Sequence, residues 1–362
     1  MQYSKNKINY FLLIDNLTQG GAERVAIRIS EGLKERGLNI KLVAMQNQVF
    51  YRDKKFDFDI LSPQENISKL NKIYLLLNFF KHRKNNFTIC FSLDLAVYLT
   101  TLRFLKLYKG KIICRFINNP EFEGGSGPLA KLKKMILFSV LKKTDLIICQ
   151  SNGMLNILQG LLQHPNMVRI YNPISIGSDF NNKIIESNEN IIRLLFIGRF
   201  TKQKNLPDII KIANELKRKN VNFRWVMVGD GELYNNFVHT IKTQALEDHF
   251  ELVGAQSSVN KYYLEADITT LVSHYEGLPN VLLESICSGT PCVSYDCPTG
   301  PSEIIKNNIN GGLVKQYDIE GFADKIIEIS RLKLKNKNLK LSINDFDSDN
   351  IIDQYYELFK SL

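Results

Sequence analysis

Short apolar runs that break off abruptly, each followed by a segment with helical period, constrain this chain more than any other feature, and the pattern occurs twice. In the first half the strand-like runs are residues 8–14, 40–44, 87–91, 111–116, 146–149 and 168–171, with helical stretches such as 22–36, 68–84 and 128–143 between them. In the second half the runs are 193–197, 223–228, 250–253, 268–272 and 291–295, and the helical segments include 207–219 and 279–287. Near-continuous apolar strands alternating with helices predict parallel sheets covered by helices on both faces. The expected fold class is therefore α/β, with two doubly wound domains in tandem.

Length agrees, since 362 residues exceed one ordinary core. Residues 172–190 are rich in Asn, Ser, Gly and acidic side chains and lack apolar period, which suits a linker. The expected organisation is an N-terminal domain over 1–175, a linker over 176–190, a C-terminal domain over 191–345 and a C-terminal helix within 346–362. Ligands of open parallel sheets sit beyond the carboxyl ends of the strands, and tandem domains of this kind commonly share one. The active site is expected between the domains.

Hydrophobic residues at 44% and charged residues at 23% exclude a disordered chain, a collagen-like repeat and a coiled coil. No apolar run reaches the roughly 18–20 residues of a spanning helix, because Asn78 and Lys81 interrupt the best candidate, residues 73–80. The polar residues 1–7 and the short run after them carry no cleavage site of small residues, so a cytoplasmic chain is expected. Six cysteines, none in a Cys-x-x-Cys pair and three of them (Cys90, Cys114, Cys149) inside strand-like runs, read as small buried hydrophobes of a reducing compartment.

The formal net charge of +10 is unevenly placed. Residues 1–175 hold 26 Lys and Arg against 12 Asp and Glu, while residues 176–362 hold 21 against 25. The basic half faces an anionic partner, a lipid surface or a phosphorylated substrate. Nucleic acid is disfavoured, because basic and aromatic residues are not interleaved.

The sharpest motif is residues 274–288, HYEGLPNVLLESICS. It begins where the run 268–272 ends, and Pro279 suits the first position of a helix. Glu276 then lies in a strand-to-helix loop beside an amino end that attracts anions. Gly277 permits close backbone approach there. Glu284 shares a helix face with Asn280 and Ser288 and leans back toward the same mouth. A carboxylate in so apolar a helix needs donors, and a ribose diol supplies two.

A second constellation is residues 196–205, FIGRFTKQKN, in which Gly198 ends a strand and Arg199 and Lys204 project as a fork and a point charge suited to a pyrophosphate. A third is residues 16–25, NLTQGGAERV, where Gly20 and Gly21 leave the backbone bare. It lacks the full G-x-G-x-x-G spacing of a dinucleotide fingerprint, which argues against nicotinamide or flavin. Gly229 and Gly231 form a tight turn with a role beside a nucleobase.

Taken together, Gly20-Gly21, Gly198-Arg199 with Lys204, Gly229-Asp230-Gly231-Glu232, the Glu276–Glu284 segment, Gly300-Pro301-Ser302-Glu303 and Asn310-Gly311-Gly312-Leu313-Val314 resemble the retaining, nucleotide-sugar-dependent glycosyltransferases of family 4, the glycosyl transferases group 1. The match is specific from about 192 to 314 and looser before residue 150. The resemblance implies the GT-B fold: two Rossmann-like domains, donor on the C-terminal one, acceptor on the N-terminal one, and a last helix that crosses back to the N-terminal domain. It also implies that Glu284 holds the donor ribose and that Arg199 and Lys204 hold the diphosphate. Gly277 and Leu278 would give backbone N–H groups to donor oxygens, with Pro279 and Asn280 alongside. Glu276 would contact sugar hydroxyls near the reacting carbon, and Gly21 would lie by the phosphates. Where many members carry a His, residues 111–120 read KIICRFINNP, which places Asn118 and Asn119 on the sugar or acceptor side with Gly20.

The implied chemistry is electrostatic, with cations and helix N–H groups stabilising charge that grows on the diphosphate. The implied reaction moves a hexose or N-acetylhexosamine from a nucleotide sugar, UDP-linked by family preference, to a lipid-linked glycan in surface polysaccharide synthesis. No cofactor and no metal are expected: Asp57-Phe58-Asp59 and Asp345-Phe346-Asp347 have the letters of an Asp-x-Asp motif, but neither follows a strand end, and 345–349 suits a helix cap. A nucleotide-sugar epimerase, a nicotinamide dehydrogenase and a catalytically silent sugar-nucleotide binder stand as alternatives. Residues 69–84 and 128–143 combine lysines with apolar faces, each suited either to an anionic lipid interface or to packing on the sheet, and a chain peripheral to the inner face of the plasma membrane is expected.

Overall fold

The computed structural model describes residues 9–18, 20–49, 56–84, 86–119, 121, 127–176, 191–332, 334 and 336–362. The expected linker falls outside the described residues from 177 to 190. The chain forms two compact units, Met1–Pro173 with Asp349–Leu362, and Ile174–Ser348.

The first unit runs β1 (Asn9–Ile14), α1 (Gly21–Glu35), β2 (Ile40–Ala44), β3 (Phe58–Ile60), α2 (Lys69–Phe80), β4 (Asn86–Cys90), α3 (Leu93–Phe104), β5 (Lys111–Arg115), α4 (Pro128–Leu141), β6 (Leu146–Cys149), α5 (Asn152–Leu162) and β7 (Met167–Arg169). Its seven strands lie in the order β3-β2-β1-β4-β5-β6-β7. The pairings are parallel, with Tyr10 of β1 level with Ile40 on one side and Phe87 on the other. Strand side chains alternate between faces. Phe11 and Leu13 therefore enter one core with apolar residues of α2, α3, α4 and α5. Tyr10, on the opposite face, stacks on Phe359 from the last helix of the chain.

The second unit runs β8 (Ile192–Ile197), α6 (Leu206–Arg218), β9 (Phe223–Val228), α7 (Tyr234–Thr243), β10 (Phe250–Gly254), α8 (Asn260–Glu265), β11 (Ile268–Leu271), α9 (Asn280–Cys287), β12 (Cys292–Tyr295), α10 (Pro301–Ile304), β13 (Gly311–Val314), α11 (Ile319–Leu332) and α12 (Asn336–Ser342), followed by α13 (Ser348–Ser361). The sheet order is β10-β9-β8-β11-β12-β13. Helix α6 shows how the sequence builds its layer: Ile209, Ile212, Ala213 and Leu216 recur at three- and four-residue spacing and are buried against Phe196, Trp225 and Phe322. Asn220, left-handed at φ 55°, ends it.

Most of α13 belongs to the first unit by its contacts. Arg36 of α1 pairs with Asp349 and Asp353, and a side chain at Gly32 would strike Ile352. The Arg115 guanidinium, 1% exposed, donates from Nε to the Tyr355 hydroxyl at 2.8 Å and from Nη2 to Asn172 at 2.6 Å.

Two strands fall outside the expected runs. β3 is a three-residue edge strand whose Asp59 pairs with Lys41, while Asp57, just before it, pairs with Lys34. β13 opens on two glycines, and a side chain at Gly311 would strike the Cys292 carbonyl of β12. Glycine here serves close packing that strand propensity does not register.

The consequence for function is topological. From β8 the strand order proceeds through β9 to β10 on one side and from β11 through β12 to β13 on the other. The loops after β8 and β11 therefore leave the sheet at the switch point, where ligands of open α/β sheets bind.

Candidate active site

Residues 198–205 leave β8 as a loop held by its neighbours. The Gly198 N–H donates to the Val228 carbonyl at 3.0 Å, and the Phe200 N–H to the Asp230 carbonyl at 2.9 Å. Phe200 is fully buried and packs edge-on against Phe196 and Phe237. Two glycines make this approach possible: at Gly229 (φ 141°) a side chain would overlap the Gly198 carbonyl, and at Gly231 (φ 154°) it would come within 2.7 Å of the Phe200 carbonyl oxygen. Packing of one loop on the next thus accounts for both glycines. Between these anchors Arg199 is exposed; its carbonyl accepts from the Thr201 N–H at 2.9 Å, and its guanidinium makes no ion pair or hydrogen bond among the described residues.

Lys204 closes a 3-10 turn, Lys202–Lys204, and its Nζ donates to Oε1 of Glu276 at 2.6 Å. The pair is largely out of water, with side-chain exposures of 16% and 9%. Seventy-odd residues apart in sequence, the two groups meet because β8 and β11 are neighbours. Gln203 completes the join: its side-chain amide donates to the Tyr275 carbonyl at 2.9 Å, and its own carbonyl accepts from the His274 N–H at 2.8 Å. Sequence reasoning missed Gln203, since a loop glutamine carries no signal until the switch point is known.

Glu276 is held from a third loop, after β12. Its N–H donates to the Pro298 carbonyl at 3.4 Å, and its carbonyl accepts from the Thr299 hydroxyl. Gly300 (φ 94°) presses on this turn, where an added side chain would come within 2.6 Å of Pro279 and 2.8 Å of the Gly277 carbonyl oxygen. Gly277, Leu278 and Pro279 are thus fixed between two loops. Pro279 is the cap preceding α9 rather than its first residue, with an extended ψ of 99°, and Asn280 begins the helix. The fixed φ of proline fits that neighbouring position equally well.

Glu284 stands in the second turn of α9, and its Oε2 accepts from the Tyr263 hydroxyl of α8 at 2.9 Å. Tyr263 is fully buried and its carbonyl accepts from Thr290 at 2.6 Å, so it is a rigid donor that aims the carboxylate. The tyrosine is a second residue missed in the sequence, where it looks like ordinary core. Cys297, near Glu276 and Lys204, is held neutral: burial pushes its thiol up and the Glu276 charge adds to this. A neutral buried thiol packs and does not attack.

In the first unit, Gly20 caps α1 with extended backbone, and a side chain there would strike the Glu23 carboxylate. Gly21 opens the helix. Thr18 bridges Asn16 Oδ1 at 2.9 Å and Glu23 Oε1 at 3.2 Å, so this turn is internally braced. After β5, Asn118 is half-buried. Asn119 is fully buried, its Oδ1 accepting from the Glu121 N–H at 2.9 Å and its Nδ2 making no hydrogen bond. The structure thus joins Gly198, Lys204, Glu276, Gly277 and Pro279 in one set of loops, while Gly20, Gly21, Asn118 and Asn119 belong to the other unit. Among the described residues no group of three or more His, Cys, Asp or Glu is placed to hold a metal ion, and no helix is long and apolar enough to cross a membrane.

Residues 178–344, nearly the whole second unit, match the family described as Glycosyl transferases group 1. The amylovoran biosynthesis glycosyltransferase AmsD of Erwinia amylovora is 26% identical over 90% of this chain and 91% of its own length. An α-1,4-N-acetyl-D-galactosaminyltransferase of Campylobacter jejuni, named for a PP-undecaprenol-linked acceptor, is 26% identical over 96% of each chain. The crystal structure of Anabaena HepE in complex with UDP-glucose superposes with a TM-score of 0.80 at 17% identity, covering 98% of this chain and 100% of the other. Two Rossmann-like parallel sheets and this likeness over nearly the whole chain show the GT-B fold, and the second unit carries the match to the glycosyl transferases group 1 family.

Proposed function

We propose that the protein is a retaining, metal-independent glycosyltransferase that moves a hexose or N-acetylhexosamine from a UDP-linked donor to a lipid-linked glycan during surface polysaccharide synthesis. One observation carries the reading: a largely buried Lys204–Glu276 pair at the switch point, with the exposed Arg199 on the same loop as Lys204. A glycosyl donor needs both charges. Cations stabilise negative charge that grows on the departing diphosphate, and a carboxylate accepts hydrogen bonds from sugar hydroxyls. Arg199 and Lys204 supply permanently placed charge where other enzymes use a divalent ion, which supports metal independence. Glu284, aimed by Tyr263, would take the ribose hydroxyls, and the partial positive charge at the amino end of α9 would add to the anion site. The names of the Campylobacter relative and of the HepE complex support the lipid-linked acceptor and the UDP donor respectively.

The reaction begins as the donor C–O bond lengthens toward an oxocarbenium-like state. The electron pair goes to the diphosphate oxygen, and the acceptor hydroxyl attacks from the departing face, passing its proton to the diphosphate. Donor panels offered to a polyprenyl-diphosphate glycan, with chelator present, test the reading. Transfer from a UDP-sugar with the anomeric configuration kept, and at least about hundredfold loss in Lys204→Ala and Glu276→Ala, is expected. Unchanged rates in both variants, an inverted product or loss of activity in chelator would overturn it.

A further inference from the structure

Helix α4 is apolar on two opposite sides. Phe138 and Leu141 are buried in the core of the first unit, with Leu137 packed beside them. Leu129, Leu132, Met135 and Ile136 lie on the other side at three- and four-residue spacing and are 71%, 50%, 60% and 56% exposed. Lys131 and Lys133 flank this outward row, both exposed. An ordinary covering helix turns its polar side to water, so a second apolar side needs an occupant. The same helical layer exposes Phe104 and Leu105 at the end of α3 (87% and 57%). Helix α2 turns Leu76, Phe79 and Phe80 inward and leaves Leu70 and Tyr74 outside.

Charge identifies the occupant. Residues 69–162, from α2 to the end of α5, carry 15 Lys and Arg against 4 Asp and Glu, an excess of 11 against +10 for the entire chain. We infer that the outward face of α4, with the end of α3, docks on an anionic lipid bilayer, the four apolar side chains entering the interface and the lysines meeting headgroup phosphates. A nucleic acid would satisfy the lysines and leave the apolar row in water. A second copy would bring two such positive faces together.

The purpose of docking rests on the transfer reading, through a lipid-linked acceptor, but its test does not. All six cysteines are buried, so Ser139→Cys, on the exposed apolar side, takes a polarity-sensitive fluorophore alone. With vesicles containing phosphatidylglycerol, the fluorophore should shift to the blue and the protein should float with the lipid; pure phosphatidylcholine should give neither. Lys131→Glu with Lys133→Glu, and separately Leu132→Asn with Met135→Asn, should each lower the partition at least about tenfold. The thermal shift produced by UDP should stay as in the parent, which separates failure of docking from failure of the donor site. Absence of phosphatidylglycerol-dependent flotation, indifference to both double variants, or self-association abolished by Leu132→Asn with Met135→Asn in a protein that ignores vesicles would each overturn the assignment.

Discussion

Lys204 and Glu276 satisfy one another at 2.6 Å, and any diphosphate that uses the lysine must compete with the carboxylate. Glu276→Gln removes the competitor and keeps the shape. UDP alone is therefore expected to bind the variant several-fold more tightly, while transfer from the full donor falls about 10²–10³-fold because the sugar exchanges a charged acceptor for a neutral amide. Titration calorimetry with UDP and a turnover assay read the two effects; weaker UDP binding would show that Glu276 does not restrain Lys204. The reverse truncation is structural as well as functional. Lys204→Met leaves a carboxylate that is 9% exposed without its cation. The loss should fall at the lower end of the about 3–5 kcal/mol known for broken buried pairs, and Lys204→Met with Glu276→Gln should recover part of it in urea melts. No recovery would mean that the two charges are stabilised independently. Arg199, Lys204 and Glu276 were legible because each falls in a loop after an apolar run. Gln203 and Tyr263 were not, since what makes them matter is the adjacency of β8 with β11 and of α8 with α9, set by sheet order and invisible to local pattern.

At the scale of elements, Arg115 anchors α13 to the first sheet. Among the described residues its guanidinium has no carboxylate partner and relies on the Tyr355 hydroxyl, Asn172 and the Phe91 ring, which lies 5.2 Å from it. A buried cation with one donor stripped of its acceptor is costly. Tyr355→Phe is expected to remove about 1.5–3 kcal/mol from the first unit and to speed proteolysis within α13. An unchanged melt would show that water replaces the hydroxyl. Elements themselves were legible wherever side chains carried the period. Residues 40–44, 146–149 and 223–228 are strands with the expected bounds, whereas β3 and β13 were invisible. β3 is short and only half-buried at a sheet edge. β13 is encoded by backbone closeness at Gly311, not by apolar character. Both lie where tertiary pairing, rather than propensity, makes the strand.

Across the whole molecule five of the six thiols behave as one class, which links both units to pH. Burial raises Cys90 and Cys114 in the first unit and Cys297 in the second, and pushes Cys149 and Cys292 up to about 12. Burial raises Tyr108 and Tyr295 in the same direction. For an acid whose folded pKa lies above its unfolded value, the unfolded chain releases the proton first. Stability is then complete below the unfolded pKa near 8.5–9 and declines as pH climbs toward the folded one, by at most about 1.4 kcal/mol per pH unit for each thiol. Urea midpoints of both units should therefore hold steady from pH 7 to 8 and drop steeply between pH 9 and 10.5. Cys149→Ala and Cys292→Ala should lower stability at pH 8 through the space they vacate, yet flatten the alkaline decline of their own units. The thiols should also resist aromatic disulfide reagents at pH 8 until denaturant is added. A thiol that reacts in the native protein, or a decline indifferent to both substitutions, would show that Cys149 and Cys292 do not carry the alkaline loss.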